Sequence, residues 1–570
     1  MFTFMHTYTP ESWEGVIKNG LFRKDDGIKI MHRPDIPEEY GFNQIGKQGG
    51  ALYELLCQLD CPFYIDRLQG GIELPWWYEY DQKLVQQYKE KLGNKFWGFQ
   101  IHEWASNIKT DCDSIIKLYE AVGKKNPSPE ERKKIWTDFC AGEISKDLFP
   151  SYAWLTDLKM PMLLEAFTGD EWSKRKDPKN RKEFMEAVWD LYITRCKKMD
   201  GMLIPVDSAF MAPRIEVLNG AKLIMPEVGW QIPNMRVQMA YTRGMAKAYG
   251  IRWGIYYECW GGTKGYGLTI PFSLREGMDE WFEDQLHRGN GADRSPEERE
   301  NGGSSRSLQE RAWHYAYLSG ATVMGEEYGV CNTFRDYHEF DLSLYGRIKR
   351  EFLRFTERFP EVGQTFTPIA IVLPADLEMW EVVPSDKYLG YPIDEEVRYV
   401  PSIREGFDYL FGHDGKYGNQ GKTIKNGQFP DVFDIIHADQ KEAIANYEYL
   451  IDFSADPLFV ETHQNVIEME EIDLILDQLL PCRIKGDVHS LYNQTEEGWL
   501  VLIMNNDGIY CDNFAGDVRI PEARTRVEII TKTDKKISIA EGNYSHEMVM
   551  NEQGHSLILD AGEWVLLRIG

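Results

Sequence analysis

The sequence predicts an α/β protein: a (β/α)8 barrel followed by a smaller α/β layer and a C-terminal β-sandwich. Three observations lead there. Over the first 330 residues, short apolar runs alternate with helical periodicities, the pattern of βα units around a parallel sheet. After residue 480 the pattern changes to alternating strands separated by turn residues. The chain is also 570 residues long, more than one ordinary core accommodates, so roughly two to four domains are expected.

Strand-like runs fall at 2–6, 28–31, 62–66, 97–103, 202–207, 222–227, 252–258 and 321–326, and eight such strands close a TIM barrel. Helical patterns precede the third, fourth, seventh and eighth of them, at 49–59, 82–92, 237–249 and 307–318. Two connections are long: an insertion at 104–200 after the fourth strand, and the glycine- and charge-rich stretch 259–305 after the seventh. Long loops at the carboxyl face of a barrel shape its cleft. With a helix at 344–359, the barrel is expected to span 1–365. The apolar run 368–374 then opens a second unit, continuing through 432–437 and 449–453 to a helix at 471–480. It reads as a flavodoxin-like α/β domain over 366–480. Strands at 499–504, 527–531, 556–559 and 564–569, with Asn505-Asn506-Asp507-Gly508 as a turn, complete a β-sandwich over 481–570.

Composition narrows the functional classes. A formal charge of −27 argues against a nucleic-acid partner, because phosphate binding needs a concentrated basic surface. No apolar run approaches the roughly 20 residues of a membrane helix. Nine scattered cysteines without a CxxC pair form neither a disulfide framework nor a zinc cluster, and no metal or cofactor is expected. No signal peptide is visible, so the chain is expected to be cytoplasmic, or periplasmic or secreted if a signal has been removed. Aromatic residues reach 13%, and 14 of the 17 tryptophans precede residue 320. Large cores use such residues, and so do sugar clefts, where flat apolar sugar faces stack on the rings.

Barrel enzymes carry their reacting groups at the carboxyl ends of strands, and here many predicted strands end in an acid: Asp66, Glu103, Asp207, Glu227, Glu258 and the Glu326-Glu327 pair. Carboxylates converging on one cleft are what glycoside hydrolysis requires, one protonated to donate to the leaving oxygen and one ionised at the anomeric carbon. Glu103 and Glu258 each close an aromatic, near-continuous apolar run. An ion pair with a neighbouring loop is the structural alternative for either. Glu326 and Glu327 are adjacent, so in a strand they point to opposite sides and only one reaches the cleft; Glu326 is the expected one. Trp104, Trp230 and Trp260 each follow a strand-end Glu within three residues and are candidate sugar platforms. Asp66, Arg67 and His102 are candidate hydroxyl-binding groups. His6, ending the first strand, is a further polar candidate.

The run Trp97–Glu103 resembles the fourth-strand motif of clan A glycoside hydrolases, particularly family 42 β-galactosidases, where Gly-Trp-Gln-x-x-Asn-Glu carries the acid/base. The strand ending in Glu258 is similar to the seventh-strand segment carrying that clan's nucleophile. The run Arg311-Ala312-Trp313-His314-Tyr315-Ala316-Tyr317-Leu318-Ser319-Gly320-Ala321 resembles the entry to the eighth strand, and the order of domains is also similar. The resemblance implies Glu103 as acid/base, Glu258 as nucleophile, a retaining double displacement on a β-linked oligo- or polysaccharide, β-galactoside first, and a trimer built through the middle domain. His102 stands where the clan has Asn, and the family's Cys-rich metal cluster has no counterpart. Glu227 is the rival nucleophile, or else a substrate-binding group. A non-catalytic carbohydrate-binding barrel, an inverting hydrolase and a metal-dependent barrel hydrolase using His6 and Asp66 are the alternatives.

Overall fold

The computed structural model describes, apart from short interruptions, residues 2–31, 58–66, 86, 89–102, 119–145, several positions within 180–193, 202–269, 301–377, 387–418 and 423–570. Eight parallel strands are present: β1 (Thr3–Tyr8), β2 (Gly27–Met31), β3 (Phe63–Asp66), β4 (Phe96–His102), β5 (Leu203–Asp207), β6 (Leu223–Gly229), β7 (Arg252–Glu258) and β8 (Val323–Glu326). They close a barrel in the order β1-β8-β7-β6-β5-β4-β3-β2. Every one overlaps a run read from the sequence. One difference matters later: β6 runs on to Gly229.

By internal packing the chain divides into two units, Met1–Lys29 with Lys222–Asp386 and Ile393–Gly570, and Ile30–Ala221 with Lys387–Pro392. In the first, α1 (Pro10–Lys18), α2 (Met235–Tyr249), α3 (Arg306–Leu318) and α4 (Leu344–Arg358) are the principal barrel-associated helices among the described residues. Serine caps start two of them. The Ser305 hydroxyl accepts from the Leu308 amide and the Ser343 hydroxyl from the Gly346 amide, satisfying N–H groups that a helix start leaves unpaired. Trp313 of α3 is fully buried and packs edge-on against Phe4, Tyr257 and Tyr345, with Phe352 tilted beside it. Phe4 and Tyr257 therefore lie on the helix-covered, outer face of the strands.

Beyond α4, β9 (Ile369–Leu373) lies between β10 (Phe433–His437) and β11 (Tyr449–Asp452) in a parallel three-stranded sheet. The uninterrupted Ile-Ala-Ile-Val-Leu of β9 is buried throughout, as a strand covered on both faces must be. Helix α2 is held to this sheet by charge. Arg236 pairs with Asp431 and Arg243 with Asp434, all four buried, and the Tyr241 hydroxyl lies 2.8 Å from His437 Nε2. Two antiparallel sheets follow. One orders 364–365, His489–Thr495, Gly498–Met504, Trp564–Ile569 and Ile537–Asn543; the other orders Cys482–Lys485, Thr525–Thr531, Gly554–Leu559 and Val549–Asn551.

The second unit contains β3, β4 and β5, paired parallel with Ile65 opposite Phe99 and Phe99 opposite Leu203. Its helix Pro129–Cys140 starts with a capping box, Ser128 and Glu131 each satisfying the other's backbone amide.

Candidate active site

The sides of the strands in the first unit follow from register. Residues paired across parallel strands point the same way, and side chains alternate along each strand. Val323 of β8 pairs with Gly254 and Gly325 with Tyr256, while Met324 and Glu326 pair with Ile255 and Tyr257. Because Tyr257 faces α3, Met324 and Glu326 face outward with it. Tyr256, Gly325 and Glu258 face inward. On β6, Glu227 pairs with Tyr256 and Gly229 with Glu258, so Glu227 also faces inward, one layer below Glu258. Glu327 takes the next inward position on β8, its amide continuing the ladder by donating to the Tyr257 carbonyl at 2.9 Å.

Among the described residues of this unit, the inner face carries three carboxylates, Glu227, Glu258 and Glu327, all at most 5% exposed. Cys259, buried immediately after Glu258, lies close enough to Glu258 and Glu327 to feel their charge. Burial pushes its thiol well up, and the charges of Glu327 and Glu258 push it further. Asn332 secures this corner, its amide donating to Cys259 Sγ at 3.0 Å and to the Glu327 carbonyl at 3.4 Å. The segment before α3 closes it from the other side, where the Ser304 amide donates to the Cys259 carbonyl at 2.9 Å. The Ser304 hydroxyl is 2.8 Å from that of outward-facing Tyr257, whose phenol burial pushes far above its usual range.

Glycine permits the approach of β6 to this site. A Cβ on Gly229 would lie 2.6 Å from the carboxyl carbon of Glu258, closer than real contacts allow. The strand end is also tied from the α/β layer, where the Thr423 hydroxyl donates to the Gly229 carbonyl at 2.6 Å. Trp230 follows, half-buried, with its indole N–H buried and without a hydrogen-bond partner. Among the described residues, one cation is seen on the inner face of this unit. Lys29 of β2 is fully buried and donates to the Tyr256 hydroxyl at 2.8 Å and the Glu326 carbonyl at 2.7 Å.

Several expected residues are placed differently. Glu326, expected to meet substrate, is turned outward. Its carboxylate accepts from the Tyr345 hydroxyl at 3.0 Å and from the ammonium of Lys349, and Glu327 holds the inward position instead. Glu227 was expected at a strand end but lies two residues inside β6. His6 faces outward with Phe4 and bonds Asp26 at 3.0 Å. Asp207, buried at the end of β5, accepts from the Ala209 amide at 2.7 Å. Asp66 and His102 close β3 and β4, but their side chains, like all of Glu103, Trp104, Arg67 and Trp260, lie outside the described residues.

Sequence reasoning missed Lys29, although a signal was there: a lone cation inside Gly-Ile-Lys-Ile-Met, where burial demands partners. Thr423 and Asn332 carried no comparable signal. Among the described residues, no group of three or more His, Cys, Asp or Glu side chains is arranged to hold a metal ion, and no helix is long and apolar enough to cross a membrane.

No family model matches the chain, and no curated protein matches its sequence. Solved structures with a similar course are glycoside hydrolases. The catalytic module of a family 98 glycoside hydrolase from Streptococcus pneumoniae TIGR4 is 11% identical over 99% of this chain and 98% of that one, at a TM-score of 0.41. A polyextremophilic β-galactosidase from the Antarctic haloarchaeon Halorubrum lacusprofundi is 9% identical over 99% and 100%, at 0.35. GH5_18 from Bifidobacterium longum subsp. longum ATCC 55813 is 11% identical over 79% and 96%, at 0.31. Likeness at these levels does not assign an activity.

Proposed function

We propose that this protein is a retaining glycoside hydrolase acting on a β-linked oligo- or polysaccharide, with β-galactosides the first substrates to try. The observation that carries the reading is the set of three buried carboxylates, Glu227, Glu258 and Glu327, on the inner face of neighbouring strands. Burying acids together is costly unless their charges are used or compensated, and a carboxylate pair is what glycosyl transfer to water needs.

In this reading the Glu258 carboxylate attacks the anomeric carbon, the bond to the leaving oxygen breaks, and Glu103 supplies the proton that oxygen takes up. Glu103 then removes a proton from water, which attacks the anomeric carbon and releases Glu258 from the ester. Glu327 tunes Glu258 or binds a sugar hydroxyl, and Glu227 supports the layer beneath. Trp104, Trp230 and Trp260 serve as sugar platforms. The unpartnered indole N–H of Trp230 offers a hydroxyl a donor that the fold itself does not use. Asp66, Arg67 and His102 complete the hydroxyl contacts.

The test is turnover of a panel of β-glycosides, with the anomer of the first product followed by NMR. Retention is expected, and Glu258→Gln and Glu103→Gln should each lower kcat by at least about 10²-fold while substrate binding persists. Inversion would overturn the double displacement. Binding of glycans with no turnover of any by the parent protein would leave a carbohydrate-binding barrel in its place.

A further inference from the structure

The connection from β6 to α2 starts beside Glu258, and one residue of the α/β layer holds both of its ends. Thr423, fully buried, lies ahead of β10. Its hydroxyl donates to the Gly229 carbonyl at 2.6 Å, with the Trp230 carbonyl 3.3 Å away. Its own carbonyl accepts from the amide of Met235, the first residue of α2, at 2.6 Å. Between these ends Asn234 takes a left-handed backbone at φ 56°, a conformation that a residue with a side chain keeps only where its surroundings impose it. Thr423 is fixed in its turn from the β-sandwich. The nearby Asn426 amide donates to the Asp487 carbonyl at 2.9 Å and to the Asn505 side chain at 3.2 Å, and its oxygen accepts from the Asn506 amide at 2.9 Å. The Asn505-Asn506 turn thus anchors a residue that reaches the end of β6.

What that end touches gives the anchor its meaning. Gly229 is the register partner of Glu258. A Cβ on Gly229 would fall 2.4 Å from the Glu258 backbone oxygen and 2.6 Å from both its Cγ and its carboxyl carbon. The bare α-carbon of Gly229 is therefore a wall of the space that the Glu258 side chain occupies. We propose that Thr423 is a positioning residue for Glu258: its hydroxyl fixes the strand end against which that carboxyl rests, so the α/β layer completes the site. This role rests on the glycosidase reading, in which Glu258 is the nucleophile. A buried carbonyl requires a donor. Deprived of Thr423, the Gly229 peptide turns to find another, and the wall moves with it. Misplacing a reacting group by about 1 Å costs about 10²-fold in rate.

The experiment compares kcat and KM on the β-glycoside that the parent turns over, for Thr423→Val, Thr423→Ser and Tyr241→Phe, with thermal melting to count folded molecules. Valine sets a methyl group where the hydroxyl meets the Gly229 carbonyl, and kcat should fall at least about tenfold with KM within about threefold of the parent. Serine keeps the donor and should restore kcat to within about threefold. Tyr241→Phe removes another bond between α2 and the α/β layer, that to His437, further along the helix, and should leave kcat at the parent value. If the valine variant fails to fold, Thr423→Ala removes the hydroxyl without adding bulk and carries the test. Parent kcat in folded Thr423→Val and Thr423→Ala, with Glu258→Gln dead, overturns the role of Thr423 and leaves the glycosidase reading standing. An equal loss in Tyr241→Phe overturns it too, since any loosening of the layer would then suffice. Raised KM at unchanged kcat would move the effect from Glu258 to Trp230 and likewise overturn it. A parent inactive on every glycoside overturns both readings.

Discussion

Replacing Glu326 by Gln separates structural from chemical carboxylates at the end of β8. Glu326 and Lys349 are paired with side chains 0% and 2% exposed, and the carboxylate also accepts from Tyr345. Lys349 has partial further support from the face of Phe4, 5.0 Å away. Gln still accepts from Tyr345 but leaves the ammonium without its anion. Removing one partner of a buried pair costs about 3–5 kcal/mol, or roughly two to three and a half decades in the unfolding equilibrium. A chain of this size does not unfold in one step, so calorimetry should show the loss as a lower first transition. Hydrogen exchange should show faster opening of α4 and β8. Turnover per folded molecule should stay within about threefold of the parent, a change worth less than 1 kcal/mol. The double variant Glu326→Gln with Lys349→Met should recover much of the stability, since no unpaired charge remains. Glu327→Gln should show the reverse pattern, with melting near the parent and turnover reduced. Normal melting with lost turnover in Glu326→Gln would place Glu326 in the chemistry and refute the assignment of sides.

Two further outcomes follow from the same geometry. Gly229→Ala inserts a methyl group against the Glu258 carboxyl. It should lower kcat at least about tenfold by displacing that group, and unchanged kinetics would show that Glu258 is not in use. The His6–Asp26 pair predicts the acid response. Burial, then the charge of Lys349, lowers the affinity of His6 for a proton, against the pull of Asp26, so the unfolded chain protonates first and stability falls as pH drops below the ordinary value of 6.5. Asp26 adds a second loss. Burial alone would raise its pKa, but His6 and Arg23 outweigh it, so the stability it confers disappears as pH falls below 3.8. Melting midpoints measured from pH 7.5 downward should fall in two stages, with His6→Gln flattening the first; a flat profile across pH 6.5 would refute the reasoning.

The barrel strands were legible because each carries a short apolar run bounded by turn residues, and such runs survive in any context. The helices α2 and α3 were legible for the same reason at a different period. Strand ends were not. The sequence places the end of β6 at Glu227, but the strand continues to Gly229 because a glycine there lets the backbone pass against Glu258 and Thr423 binds its carbonyl. That bond comes from a residue nearly two hundred positions away, beyond any local pattern. Lys29 was passed over because β2 is short and its pattern weak, although a charge between two isoleucines has few structural excuses.

The Glu326-Glu327 pair makes the limitation physical. Alternation states that adjacent acids diverge but not which faces the cleft, since the phase of a strand is set by what covers it. Here α3 and α4 set the phase. Trp313 takes Tyr257 on its side, register carries that side to Glu326, and Lys349 on α4 supplies the cation that makes outward burial of a carboxylate tolerable. The inward position is then left to Glu327. An acid at a barrel strand end is thus a candidate for chemistry only after the nearest buried cation has been located. Lys349 claims Glu326 for the fold.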